Sequence, residues 1–157
     1  MNDKQRFLME LKKSQEEIVP FNKLIEMKIT HMNDDEVRVR IPNKEQLMGN
    51  YSRKMLMGGM SAVLLDAAAS IMALIGFMQK MPPEEAWTYK KDPMDRIATV
   101  DLRTDFLRPG LGKWFEAKAI MVRSGRRLCV TRMEMANDQG KLISVGMATH
   151  ILLEKLS

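Results

Sequence analysis

The stretch GNYSRKMLMGGMSAVLLDAAAS, Gly49 to Ser70, decides how this chain is read. It opens with a loop-like Gly49-Asn50 pair, reaches the glycine pair Gly58-Gly59, and continues into an apolar run from about Leu56 to Met78. One carboxylate, Asp66, interrupts that run, and no Lys or Arg lies within a helical turn of it. A membrane span needs about 20 apolar residues, and an acid near its centre would cost roughly 2.5–3.5 kcal/mol. The uninterrupted part, Ala67 to Met78, is too short to span. A helix apolar on all sides is also what a sheet-wrapped central helix requires, and that is the expectation here.

An unpaired buried carboxylate is costly, so it points to function more than to packing. On this reading the apolar helix gives Asp66 a low-dielectric setting that favours its acting as a base. Gly58 and Gly59 precede the helix and leave its first N–H groups bare, an arrangement that stabilises a developing oxyanion. Gly58 and Asp66 are eight residues apart, which is about 12 Å along one helix. A reacting carbonyl must lie roughly 3 Å from both donor and nucleophile. If both residues act, Gly58 of one chain meets Asp66 of another, and a two-fold axis makes two equal sites. Ser70 lies one turn beyond Asp66 on the same face, where its hydroxyl holds a water or the carboxylate, or simply packs.

Around this helix the pattern is that of an α+β domain. Asp3 is positioned to cap a helix over residues 4–18, with Phe7, Leu8, Leu11 and Ile18 as its stripe and Pro20 as its stop. Residues 23–32 read as an irregular strand. EVRVRIP alternates Val37, Val39 and Ile41 against Arg38 and Arg40. Residues 43–55 and 80–96 read as loops, the second long enough to cover something, with Trp87 and Tyr89 placed to line or cover a pocket. Four strands follow. IATVDLRTDFL alternates through Ala98, Val100, Leu102 and Phe106, and residues 113–123, 127–136 and 141–154 are joined by the turns SGRR and NDQG.

Composition narrows the function. The 157 residues favour one domain, 1–157, with the helix of residues 1–19 preceding its main body. Hydrophobic residues make up 45%, which excludes a disordered chain, and the net charge of +5 suits an anionic partner. With 6% aromatics and no long basic run, nucleic acid is not expected as a partner, nor is a membrane. A lone Cys129 excludes an internal disulfide and cysteine-based zinc sites, and no metal site is expected. The charged N-terminus lacks a signal-peptide core, so a cytoplasmic location is expected. The sixteen Met residues read as adaptable core filler. Arg123, Arg126 and Arg127 cluster at one hairpin end, either as phosphate ligands or as a solvated turn. Arg108 reads as a brace for backbone carbonyls, Cys129 as buried packing, and His31 and His150 as ordinary strand residues without acid partners.

LMGGMSAVLLDAA together with TVDLRTDFLRPG resembles the hotdog-fold acyl-CoA thioesterases of the PaaI-like branch. Within it, the YigI-like group carries a segment similar to Pro20-Phe21-Asn22. The resemblance implies a curved antiparallel sheet wrapped round one long helix, in dimers or dimers of dimers. It implies hydrolysis of an acyl-CoA, with CoA entering as part of the substrate and no cofactor. Gly58, Gly59 and Asp66 match the motif glycines and acid, Asn50 an upstream polar residue near the substrate, and Ser70 a position that carries a hydroxyl in some members. Met57 replaces the motif His and cannot transfer a proton. The expected chemistry has Gly58 N–H, assisted by Gly59, polarise the carbonyl, while Asp66 of the partner attacks or activates water. Asn50 orients the water or the acyl carbonyl, and Met57 and Ser70 contact substrate. A non-catalytic acyl-CoA-binding dimer is the alternative. A dehydratase is disfavoured because no His lies in the helix motif.

Overall fold

The first helix forms where its pattern predicts, but with a different cap. In the computed structural model, which describes residues 1–88 and 92–153, α1 runs Asp3–Lys13 and Asn2 is its N-cap. Asn2 Oδ1 accepts from Gln5 N–H, and Gln5 Oε1 accepts from Asn2 N–H, a reciprocal capping box that leaves Asp3 as a first-turn acid. Phe7 and Leu11 are buried as expected. Ile18 is exposed, because a π turn over Ser14–Ile18 shifts the helical phase away from the stripe. The helical path ends at Ile18 as expected, with Val19 before Pro20 extended. Pro20 then opens a new helix, α2, Pro20–Leu24, where its missing N–H costs nothing. The first strand consequently starts late, as β1, Lys28–Met32.

β2, Glu36–Pro42, buries Val37, Val39 and Ile41 completely and turns Arg38 and Arg40 outward. The segment expected to be loop contains a short hairpin, β3 Met48–Asn50 and β4 Met55–Leu56. A Cβ at Gly49 would stand 3.0 Å from Met57 Cα, so the glycine lets this hairpin lie against the approach to the next helix. That helix, α3, is Gly58–Lys80. β5 Ile97–Phe106, β6 Trp114–Ser124, β7 Leu128–Asn137 and β8 Leu142–Leu152 complete the chain, within one or two residues of expectation, Glu154 lying outside the described residues. Six strands form one antiparallel sheet in the order β1-β2-β6-β7-β8-β5.

α3 packs against β2, β5, β6, β7 and β8. Eight of its large apolar side chains are buried, from Leu64 to Met78. At about 1.5–3 kcal/mol for each, their burial outweighs any local preference of the segment. The mean hydropathy of 1.9 that would suit a membrane span belongs here to a helix 67% buried over that window. Burial is not uniform along it. Ile71 to Met78 are buried on every side, whereas Ala62, Val63, Asp66, Ala67 and Ser70 form a half-buried face.

β5 departs from simple alternation. Thr99 pairs with His150 and Asp101 with Thr149, so Val100 is an extra, bulged residue. Before the bulge Thr99, not Ala98, faces α3; after it Leu102 and Phe106 face α3 as expected, and Val100 is left 55% exposed. β5 is also an edge of the sheet.

Candidate active site

The glycine end of α3 is open. Met57 occupies the N-cap position and supplies no side-chain cap, and the N–H groups of Gly58 and Gly59 have no acceptor among the described residues. Met57 itself is exposed, held by its N–H to Leu47 O at 2.9 Å. Gly58 lines a cleft of about 400 Å³ with Met55, Leu56, Ser61, Phe106 and Arg108. Bare first-turn N–H groups at a helix N-terminus are suited to a negative or polarised oxygen. Asn50, at the end of β3, uses its Oδ1 to accept from Arg53 N–H (3.2 Å) and Ser52 O–H (2.9 Å). Its carbonyl is thereby committed to the hairpin turn, leaving the amide N–H₂ as the part able to reach a ligand.

Asp66 lies elsewhere. It lines a separate groove of about 410 Å³ with Val63, Ser70, Phe21, Asp92 and Met94. Among the described residues none is shared between the two clefts. The carboxylate is not enclosed by the apolar helix as expected: its side chain is 36% exposed, because position 66 falls on the half-buried face of α3. Its setting is a groove wall with specific hydrogen bonds, not a uniformly apolar pocket.

Those hydrogen bonds come from residues that sequence reasoning missed. Thr99 Oγ1 donates to Asp66 Oδ1 at 3.0 Å. Behind it, His150 is wholly buried, with Nε2 3.0 Å from Ser70 Oγ, 3.1 Å from Thr99 Oγ1 and 3.5 Å from Asp66 Oδ1. Ser70 Oγ donates to the Asp66 main-chain carbonyl at 2.8 Å. The expectation that His150 has no acid partner is therefore wrong. The pairing is made across the sheet, from β8 to β5 and onto α3, so no local spacing records it. His31 also has an acid within reach, Glu36 Oε1 at 3.9 Å, but on the exposed side.

The remaining candidates divide clearly. Arg108 donates to Leu142 O at 2.8 Å and is a backbone brace, though it also borders the Gly58 cleft. Arg123, Arg126 and Arg127 sit exposed at the β6–β7 hairpin. That hairpin is anchored near the far end of α3, where Ser124 Oγ donates to Gly76 O at 3.1 Å. Gly76 is 18 residues beyond Gly58, about 27 Å along the helix. Cys129 is fully buried, and burial pushes its thiol pKa up, as packing predicts. Trp87 does not line the Asp66 groove. It packs edge-on against Phe7 of α1, ring centroids 5.7 Å apart. Asp92 and Met94 reach the groove instead, and Tyr89 lies outside the described residues.

The Thioesterase superfamily profile matches residues 54–144, which include α3, β5, β6, β7 and the start of β8. The chain is 28% identical over 134 residues to the medium/long-chain acyl-CoA thioesterase YigI of Escherichia coli K12, covering 85% of this chain and 86% of that protein. A crystal structure of a thioesterase-superfamily-related protein from Shewanella oneidensis superposes with a TM-score of 0.84 at 30% identity, covering 95% of this chain and 97% of that one. A structure described as a thioesterase candidate from Syntrophus aciditrophicus gives 0.81 at 33% identity, covering 97% and 100%. A six-stranded antiparallel sheet around one long helix, a carboxylate presented midway along that helix and a match spanning more than half the sequence lead to one conclusion: this chain belongs to the thioesterase superfamily and has its hotdog fold.

Proposed function

We propose that the chain is a homodimeric acyl-CoA thioesterase, acting on medium or long acyl chains, whose site is assembled from two protomers. The observation that carries this reading is the separation of Gly58 and Asp66 into two clefts of similar volume on one chain. Neither cleft contains a complete set of oxyanion donor and base. A second copy with its α3 antiparallel to the first would bring each Asp66 to the other's Gly58. The exposed β5 edge, with Val100 and Phe106 more than half exposed, supports such pairing. A dimer of dimers is compatible with the same arrangement.

In this reading the Gly58 N–H, with Gly59 beside it, holds the thioester oxygen as it becomes an oxyanion. On one route, Asp66 of the partner takes a proton from water, the hydroxide oxygen bonds to the carbonyl carbon, the C–S bond breaks and the coenzyme A thiolate leaves. On the other, Asp66 attacks the carbonyl carbon directly, the C–S bond breaks and the thiolate leaves, and water then opens the mixed anhydride to the free acid and the restored carboxylate. Each route balances with water alone, so the reading includes no cofactor. Asn50 N–H₂ orients the acyl carbonyl, and Met57 and Ser70 border the reacting group. With the helices antiparallel, the Arg123–Arg127 hairpin comes from the protomer that supplies Asp66 and swings toward the partner's glycine end, where it takes the nucleotide phosphates. The substrate is a soluble thioester met in the cytoplasm, without nucleic acid or membrane as partner.

Met57 favours a second reading, a dimer that binds acyl-CoA without turnover. A dehydratase needs an accessible His beside an acid; His150 is beside Asp66 but has no exposed surface and its Nε2 is engaged by two hydroxyls. The test is free-thiol release from short, medium, long and aromatic acyl-CoAs by wild type and Asp66→Asn. Release by wild type that Asp66→Asn abolishes supports the enzyme; binding without release by wild type establishes the second reading instead.

A further inference from the structure

We propose that His150 is a positioning residue for Asp66, acting through Thr99 and Ser70 as a fixed proton donor from Nε2. The inference rests on Asp66 being the working carboxylate and adds how it is aimed. Each hydroxyl has one proton to give. Thr99 Oγ1 gives its proton to Asp66 Oδ1, a charge-assisted bond, and Ser70 Oγ gives its proton to the Asp66 main-chain carbonyl. Both hydroxyl oxygens nevertheless lie within 3.1 Å of His150 Nε2. With both protons committed, the two oxygens face Nε2 as acceptors, so the hydrogen on that line belongs to the imidazole. A bare Nε2 would set three lone pairs against one another or withdraw a hydroxyl from Asp66. The opposite ring nitrogen is consistent with this tautomer: Nδ1 is buried and has no hydrogen-bond partner among the described residues.

The consequence is a directed arrangement. Nε2–H holds both hydroxyl rotors with their protons turned to Asp66. One hydroxyl braces the carboxylate through Oδ1 and the other braces the helix backbone at the same residue. Oδ1 is tied down, leaving Oδ2 as the oxygen free for water or the thioester carbon. The fold builds this in. His150 is paired with Thr99 on β5 and Cys129 on β7, and the Val100 bulge keeps Thr99 on the inward face while Asp101 turns out. The imidazole itself is wholly buried and never touches substrate.

The test has two independent parts. In protein labelled with nitrogen-15 histidine, only His31 and His150 contribute ring signals. The set lost in His150→Gln is expected to show a proton on Nε2 that exchanges slowly with solvent; a bare Nε2 overturns the proposal without reference to activity. In turnover, His150→Leu is expected to lower kcat by about 10- to 100-fold, part of the 10²–10⁴ that a positioned base is worth, with KM within about twofold. His150→Gln, which returns an amide N–H near the position of Nε2–H, is expected to recover most of that loss. Thr99→Val should lower kcat comparably, and adding His150→Leu to it should cost little more. Should the Leu variant not fold, Thr99→Val and Ser70→Ala carry the same kcat-against-KM reading. Equal losses in the Gln and Leu variants, or a change confined to KM, overturn the role assigned to His150. Asp66→Asn separates the two levels. If it retains the wild-type kcat, the assignment of Asp66 fails; if it is inactive while His150→Leu turns over at the wild-type rate, only the role of His150 fails.

Discussion

The cross-protomer site makes a prediction that two mixing experiments decide between them. The perturbations are Asp66→Asn, which removes the base, and Gly58→Val, which shields the oxyanion donor. A Cβ at Gly58 would touch only the Phe106 ring, at 3.4 and 3.7 Å, so the Val variant is expected to fold. Along α3 the two positions are about 12 Å apart, too far for one thioester to engage both. In a shared site, a mixed dimer of the two variants has one intact pair, Gly58 from the Asn chain and Asp66 from the Val chain. With random re-pairing of equal amounts, about half the dimers are mixed and about a quarter of all sites work. The reciprocal mixture, wild type with the Asp66→Asn/Gly58→Val double variant, behaves oppositely: its mixed dimers hold no intact pair, so activity falls to about a quarter and not about half of the wild-type value. The assay is thiol release after verified subunit exchange. A dead single-variant mixture combined with half-activity in the reciprocal mixture would place both groups in one chain and refute the geometric argument.

Four further outcomes follow from particular contacts. A Cβ at Gly146 would stand 2.4 Å from the Arg103 carbonyl oxygen on β5, a main-chain overlap, so Gly146→Ala should cost about 2–3 kcal/mol. Thermal unfolding would register this as a drop of about 4–12 °C, and an unchanged midpoint would contradict it. Val100→Lys, at the exposed bulge of the β5 edge, should shift the mass measured by light scattering toward monomer and lower activity in step, most at low protein concentration. Arg123→Ala/Arg126→Ala should raise KM for acyl-CoA by about 5- to 50-fold at low salt with kcat held, and leave a pantetheine thioester, which lacks the nucleotide, unaffected. Burial raises the Cys129 thiol pKa and so lowers its thiolate fraction near neutral pH. A soluble thiol reagent should therefore label it at least about 100-fold more slowly than free cysteine until the protein unfolds, and fast native labelling would contradict the packing.

Elements whose pattern repeats over a few residues were legible along the chain. Alternation over EVRVRIP, the hairpin turns SGRR and NDQG, and the apolar run after Gly58-Gly59 are local patterns, and each became the element they specify. The eight-residue interval from Gly58 to Asp66 was sufficient to argue that one helix cannot bring both to a single carbonyl. Local reading failed where a single extra residue changes phase. The π turn at Ser14–Ile18 exposes Ile18, and the Val100 bulge puts Thr99 in place of Ala98 and Val100 on the α3 side of β5 while Leu102 and Phe106 keep theirs. The surroundings of Asp66 became visible only in the folded chain. The fold placed the acid on a half-open face of α3 and brought Thr99 and His150 to it from 33 and 84 positions away in the chain. The physical reason is that helix spacing is set by bonds within one segment, whereas the partners of a helix face are chosen by strand order and register. Those depend on how the sheet closes around α3, which no interval along the sequence records.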